Sequence, residues 1–191
     1  MIVVCVNGVA LAGKDSFVNR VKALRNVGFP DHSIVTRERQ PIKCYSTIDP
    51  VKKVYKEFFG WNGDKTPEHR KNLNVLKRIW IDVDAGPIGY LMNVFHANAP
   101  FCRICFVMVR EFEEMEKTKA LAESMGYKAY TLEVLRDGLD IPSVEQEFLD
   151  SHPKGYKYDF SIFNPTVDTF PDLPLLDIAA ESWLQLIMNE D

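Results

Sequence analysis

Residues 2–16 read Ile2-Val3-Val4-Cys5-Val6-Asn7-Gly8-Val9-Ala10-Leu11-Ala12-Gly13-Lys14-Asp15-Ser16. A continuous apolar run from Ile2 to Val6, with no polar alternation, predicts a strand buried on both faces, as in the middle of a parallel sheet. From Lys14 the apolar side chains Phe17, Val18, Val21 and Leu24 recur at the spacing of one helix face, and the pattern stops before Gly28-Phe29-Pro30. A buried strand therefore passes through a glycine-bearing turn into a helix.

Working outward, the same alternation continues. Beyond a polar stretch from Thr36 to Gln40, Ile42 to Ser46 reads as a second short strand. Asp49-Pro50 then predicts a helix start, Asp as N-cap and Pro at the first helical position, and that helix fades at Gly60-Trp61-Asn62-Gly63. Thr66-Pro67 repeats the signal for a basic helix to about Val83, broken by Gly86-Pro87, and an apolar helix follows over roughly Ile88 to His96. Phe101 to Val109 is strand-like, Glu111 to Met125 is helical with a Gly126 stop, and Lys128 to Leu135 is a strand. A polar stretch from 137 to 157 contains a Ser143/Gln146 capping box, after which Tyr158 to Phe163 supplies a fifth strand and Leu173 to Met188 a closing helix. Strands alternating with helices imply a three-layer α/β fold around a roughly five-stranded parallel sheet. The expected organisation is one domain over 1–191, with a helical excursion at about 50–98 and a lid-like segment at about 137–157.

Composition narrows the class. The chain has 191 residues, 46% hydrophobic and 26% charged with 10 Gly and 11 Pro, the balance of a folded globular protein. A formal net charge of −4 gives polyanions no attractive field, so nucleic acid is disfavoured as a partner. The chain enters strand 1 with no basic leader, and no window reaches the roughly 18–20 apolar residues that span a bilayer. Four cysteines, Cys5, Cys44, Cys102 and Cys105, lie within or beside apolar runs and suit a reducing compartment. Cytoplasmic location, without a membrane partner, is the expectation. Cys102-Arg-Ile-Cys105 has no second pair and no nearby His to make a metal site, and reads as core. His32, His69, His96 and His152 have no ligand spacing, and Trp61, Trp80 and Trp183 read as packing residues.

The turn carries the chemistry. Gly8 to Lys14 is G-x-x-x-x-G-K, the Walker A pattern, in which successive backbone N–H groups wrap a phosphate and glycines permit the dihedrals and the close approach. The helix opening at Lys14 directs its N-terminal dipole at the same anion. Gly8, Ala10, Ala12, Gly13, Lys14, Asp15 and Ser16 are thus the expected nucleotide-binding set, with Lys14 reaching the β/γ oxygens of ATP. Walker A loops place Ser or Thr directly after the Lys as a Mg²⁺ ligand, whereas here Asp15 stands there and Ser16 follows. A carboxylate beside phosphates calls for a divalent cation between them, so Asp15 and Ser16 are the metal candidates. A guanine-reading Asn-Lys-x-Asp and an Asp-x-x-Gly switch are both missing from the sequence, which disfavours a switch GTPase. A small kinase instead needs basic side chains for an anionic acceptor, and Lys52, Lys53, Arg70, Arg110 and Arg136 stand near strand ends or in the basic helix. The ends of parallel strands are where ligands of open α/β sheets collect.

Four stretches together resemble the bacteriophage-type deoxynucleoside monophosphate kinases: the Gly8–Ser16 loop with its Gly-Lys-Asp-Ser ending, Asp49-Pro50-Val51-Lys52, Met108-Val109-Arg110 with Glu113-Glu114, and Tyr158-Asp159-Phe160-Ser161-Ile162-Phe163-Asn164. The Gly-Lys-Asp loop is also similar to animal-type phosphomevalonate kinase. The resemblance implies transfer of the γ-phosphoryl of ATP to a small phosphate acceptor, a nucleoside or deoxynucleoside monophosphate, on a P-loop kinase fold. Lys14 would then clamp phosphate. Asp49, Lys52 and Arg70 would face the acceptor, and Arg110 and Arg136 would stand near the transferring group or the lid. One position departs from the pattern: the family often has an acidic residue two places before the strand 3 arginine, where this chain has Met108. Two alternatives stay open, a kinase for a non-nucleotide phosphorylated metabolite such as phosphomevalonate, and a nucleotide-binding regulatory protein with little turnover. Self-association as a homodimer is left open too.

Overall fold

The computed structural model describes residues 1–27, 41–64, 66–136, 156–165 and 175–189. The polar stretch 36–40, the Ser143/Gln146 capping box and residues 137–155 of the lid-like segment lie outside the described residues. The strands are β1 (Ile2–Asn7), β2 (Ile42–Ser46), β3 (Ile104–Met108), β4 (Lys128–Leu135) and β5 (Phe160–Phe163). The helices are α1 (Lys14–Val27), α2 (Asp49–Phe59), α3 (Pro67–Val83), α4 (Gly86–Asn98), α5 (Phe112–Ser124) and α6 (Leu175–Asn189).

All five strands form one parallel sheet in the order β2-β3-β1-β4-β5. As the central strand, β1 is buried along its whole length, which is what its unbroken apolar run requires. Alternate residues supply the two faces. Ile2, Val4 and Val6 pack with Phe17 and Val21 of α1 and with Trp183, Leu184 and Ile187 of α6. Val3 and Cys5 pack on the other face with Leu91 and Phe95 of α4 and Met115 of α5. The first face is stiffened by aromatic edges: the Phe17 ring meets Phe106 at 6.4 Å and Trp183 at 5.7 Å, both edge-on. Cys102 and Cys105 are buried and unbridged, as a core reading requires.

Registry then places the functional edge. Val6 stands opposite both Met108 and Leu132, and Ser46 is also opposite Met108, so β1, β2 and β3 end at about one level while β4 runs on to Leu135 beside β5. The turn after β1 opens between its two neighbours there. The helices α2, α3 and α4 all fall between β2 and β3, forming an arm beside this edge. Its tip has its own small core of Val51, Tyr55 and Leu73, with Trp61 and Trp80 packed against it.

Four local expectations change. Asp49 does not cap α2; Ile48 occupies the cap position without a side-chain bond, and the Asp49 carboxylate turns back to accept from the Ser46 N–H at 2.7 Å. Gly86-Pro87 follows the end of α3 but also opens α4, with Pro in the first turn where its missing donor costs nothing. The third strand starts at Ile104, because Phe101 sits in a turn and is exposed. The fifth starts at Phe160, because the Asp159 carboxylate bonds to Thr131 of β4. The Thr66 cap of α3 stands as expected, its hydroxyl accepting from His69 N–H at 3.3 Å. Among the described residues, no helix is long and apolar enough to cross a membrane.

Candidate functional site

The loop from Gly8 to Gly13 is shaped by three left-handed or otherwise positive dihedrals, at Gly8 (φ 136°), Leu11 (φ 65°) and Gly13 (φ 95°). Gly8 has no room for a side chain: a Cβ there would lie 2.5 Å from the Val134 carbonyl oxygen of β4. A Cβ on Gly13 would run into the Asn164 side-chain amide. These two glycines are therefore demanded by space as well as by conformation. Leu11, at the crest of the loop, is the non-glycine residue that adopts a positive φ, and its side chain is exposed.

The loop is tied down at both ends by asparagines. Asn7, buried at the end of β1, accepts from Gly8 N–H at 2.5 Å through Oδ1 and donates through Nδ2 to the Arg110 carbonyl at 3.1 Å. Asn164, just past β5, donates through Nδ2 to the Ala12 carbonyl at 2.8 Å. Within the loop, Ala12 N–H donates to the Val9 carbonyl at 3.3 Å. The Gly8 and Ala12 amides are thus engaged inside the protein. Lys14, Asp15 and Ser16 open α1, where the first backbone N–H groups have no carbonyl one turn earlier, the arrangement that favours an anion. Lys14 Nζ donates to the carbonyls of Gly8 at 2.6 Å and Val9 at 2.7 Å, which holds the ammonium across the loop.

A cavity of about 400 Å³ lies beside the loop, between α1 and the ends of β2 and β3. Lys14 and Asp15 line one wall, and Ser46, Asp49 and Lys52 line another, with Met108 between them. Lys52 Nζ is 3.4 Å from Asp49 Oδ1, and both side chains are 42% exposed, so the pair remains open to an incoming ligand. Burial pushes the Cys44 thiol on the same cavity up to about 11, so a neutral thiol and not a thiolate faces it.

Of the expected residues, the structure brings Lys14, Asp15, Asp49 and Lys52 to one cavity. Ser16 is exposed on the first turn of α1 but does not line it. Arg110 follows β3 and offers its carbonyl to Asn7. Arg136 lies at the other side of the loop, beyond β4, and donates to the Leu11 carbonyl at 3.3 Å, while its buried Nε has no hydrogen-bond partner among the described residues. Arg70 sits in the first turn of α3, its backbone N–H bonded to Thr66, and is not on the cavity. Among the described residues, no group of three metal-ligating side chains is assembled by the protein alone.

Three parts of this site escape a sequence reading. Asn7 and Asn164 act through the loop backbone, and only their places at strand ends hint at it. The third is a buried network behind the cavity: Thr47 Oγ1 donates to Glu114 Oε2 at 2.9 Å, and Lys77 Nζ donates to the same oxygen at 3.0 Å and to Glu111 Oε2. Lys77 follows the arm's helical period as an apolar residue would, so nothing in the spacing marks it as charged and buried.

Solved structures share this architecture. A candidate kinase from Chloroflexus aurantiacus superposes with a TM-score of 0.52, covering 99% of this chain and 96% of its own at 12% identity. The chain has a P-loop kinase-like fold. The protein APE1195 matches with a TM-score of 0.50, covering 98% and 95% at 13% identity. The APS kinase of Mycobacterium tuberculosis, solved in complex with AMPPNP and APS, matches with a TM-score of 0.49, covering 97% and 96% at 11% identity. No protein-family model and no curated protein sequence matches. Identities this low carry the fold and not the acceptor.

Proposed function

We propose that this protein transfers the γ-phosphoryl group of ATP, with Mg²⁺, to the phosphate of a nucleoside or deoxynucleoside monophosphate. The observation that carries this reading is a shared cavity lined by Lys14 and Asp15 of the phosphate loop and by Asp49 and Lys52 of α2. The P-loop kinase-like fold supports the donor half, and the four stretches that resemble phage-type deoxynucleoside monophosphate kinases support the acceptor half.

Phosphoryl transfer asks a protein for positioning and charge neutralisation and for little covalent chemistry. The amides at the start of α1 and the Lys14 ammonium bind the donor's phosphates, and Lys52 holds the acceptor's phosphate, the residual repulsion between the two anions being lowered by these cations. Asp49, fixed by the Ser46 N–H, orients Lys52. Arg136 braces the crest of the loop through the Leu11 carbonyl, and Arg110 after β3 and Arg70 in the first turn of α3 are further cations for a closed complex. The donor set fits Mg²⁺: Asp15 and Asp49 offer hard oxygens on the cavity, while the thioether of Met108 offers none where the family often has an acid. A Mg²⁺ ion held by these carboxylates would supply positive charge against the phosphates.

Incubating the protein with ATP, Mg²⁺ and a panel of nucleoside and deoxynucleoside monophosphates tests the reading, with diphosphate formation as the readout. If no monophosphate is phosphorylated while ATP binds, the acceptor is wrong, and phosphorylated metabolites such as phosphomevalonate form the next panel. Met108 favours one other reading, a nucleotide-binding protein with little turnover. In that case Lys14→Ala weakens nucleotide binding and there is no transfer to lose.

A further inference from the structure

We infer that Lys77 is a positioning residue for phosphoryl transfer: clamped between Glu111 and Glu114, it fixes the α2–α4 arm, and with it Asp49 and Lys52, at a set distance from the phosphate loop. This rests on the functional reading above, since it concerns how the acceptor half of that site is placed.

Lys77 occupies the buried stripe of α3, one turn after Leu73, a position where helical patterning calls for an apolar side chain. Its side chain is 7% exposed. A buried ammonium is tolerated only when paired, and a well-packed apolar replacement is often as stable as the pair, so stability alone gives little reason for a lysine here. Its partners are informative. Glu114 Oε2 accepts from Lys77 at 3.0 Å and from Thr47 Oγ1 at 2.9 Å, and Thr47 lies two residues before Asp49. The Thr47 N–H donates to the Met108 carbonyl at 3.3 Å. One carboxylate therefore ties α3, the β2–α2 turn and the start of α5 together, and Thr47 stands directly after Ser46, which lines the cavity.

The second partner extends the linkage to the nucleotide side. Glu111 follows Arg110, whose carbonyl accepts from Asn7, and Asn7 in turn accepts from the N–H of Gly8, the first residue of the phosphate loop. On the arm side, α2 and α3 are coupled through Tyr55, whose hydroxyl lies 2.9 Å from His69 Nδ1 and accepts from Asn72 Nδ2 at 3.0 Å. Locating α3 at Lys77 thus locates α2 as well. Burial pushes the Glu114 carboxyl up, and Lys77 and the Thr47 hydroxyl pull it back, as expected of groups that hold one another in place.

The test compares the wild type with an apolar triad variant, Lys77→Met with Glu114→Leu and Thr47→Val, and with Glu111→Gln, whose carboxylate is half exposed. The triad is chosen because removing Lys77 or Glu114 alone would strand a buried charge and destabilise the chain strongly. The expected result is a thermal midpoint near that of the wild type and unchanged binding of a non-hydrolysable ATP analogue. kcat/KM for the acceptor should fall about 10- to 100-fold, the scale of a misplaced reacting group. Amide hydrogen exchange over 47–52 should quicken, and Glu111→Gln should show the same changes in smaller degree. If the folded triad variant keeps wild-type kcat, acceptor KM and exchange rates, Lys77 is a structural residue only and the inference falls. If the wild type phosphorylates no acceptor, the functional reading has failed, and the exchange comparison alone still decides whether Lys77 sets the arm.

Discussion

Asn164 donates its side-chain amide to the Ala12 carbonyl at 2.8 Å, joining the residue after β5 to the phosphate loop near its end, where α1 begins. Its own backbone N–H is anchored on the Leu135 carbonyl at 2.8 Å, so the support is as rigid as the β4–β5 pair. A neutral hydrogen bond of this kind contributes about 0.5–1.5 kcal/mol. Asn164→Ala is expected to weaken binding of an ATP analogue by about 2- to 10-fold, with the thermal midpoint nearly unchanged. Calorimetric titration reads this directly, and unaltered affinity would mean the loop holds its shape without β5.

Gly8 and Gly13 are both obligatory, for unequal reasons. A Cβ on Gly8 meets the backbone of Val134 and cannot be relieved without parting β1 from β4. On Gly13 it meets the end of the Asn164 side chain, which can move. Gly8→Ala is therefore expected to cost more than about 2 kcal/mol of stability, and Gly13→Ala to lose nucleotide affinity first. Adding Asn164→Ala to Gly13→Ala should recover part of the steric loss, a coupling that a double-mutant cycle measures. Equal denaturation midpoints for the two glycine variants would contradict this ranking.

Lys14 is held across the loop by the Gly8 and Val9 carbonyls, so its charge is placed before any ligand arrives. Preorganised charge of this kind is worth most where negative charge shifts during transfer. Lys14→Ala is expected to lower kcat on the order of 10²- to 10³-fold while the chain stays folded. Steady-state assay with saturating ATP separates this from weakened binding, and a kcat within a few-fold of wild type would assign the charge to another cation.

These residues also mark the boundary of what the sequence shows. The run Ile2–Val6 and the helical period after Lys14 fix a strand, a loop and a helix by local pattern, and repeated signals of that kind suffice for a five-stranded parallel sheet. The strand order is not local, since it depends on which faces bury against which helices. In the site, glycine spacing marks Lys14 and Asp15 and the end of strand 2 marks Lys52, while Asp49 enters as an acceptor residue only through the resemblance of the Asp49–Lys52 stretch. The Asp49 cap does not form because Asp-Pro serves equally for a cap and for a carboxylate turned back on Ser46. Lys77 was invisible because its partners lie 34 and 37 positions away, beyond any helical or strand period.

Asp159 gives the fold a pH dependence that can be followed without any substrate. Burial alone would raise its carboxyl, but the Lys119 ammonium and the Thr131 N–H and hydroxyl outweigh that and hold it below its ordinary value of 3.8. A carboxyl lowered in the folded state releases its proton more readily there than in the unfolded chain. Its stabilising contribution is therefore complete above the ordinary value and is lost as pH falls through the lower folded one. Asp159→Asn is expected to be less stable by about 1 kcal/mol near pH 6, the scale of the Thr131 hydrogen bonds, since the Lys119 pair is partly exposed and screened. Below the folded value the wild-type side chain is itself neutral, and the two proteins should converge. Glu114 acts in the opposite sense, because burial raises its carboxyl above 4.5 and its contribution weakens as pH rises through the window just above that value. Urea denaturation of wild type and Asp159→Asn from pH 6 down to about 3 measures the difference, and a gap that stays constant over that range would show that the Asp159 charge does not hold β5 to β4.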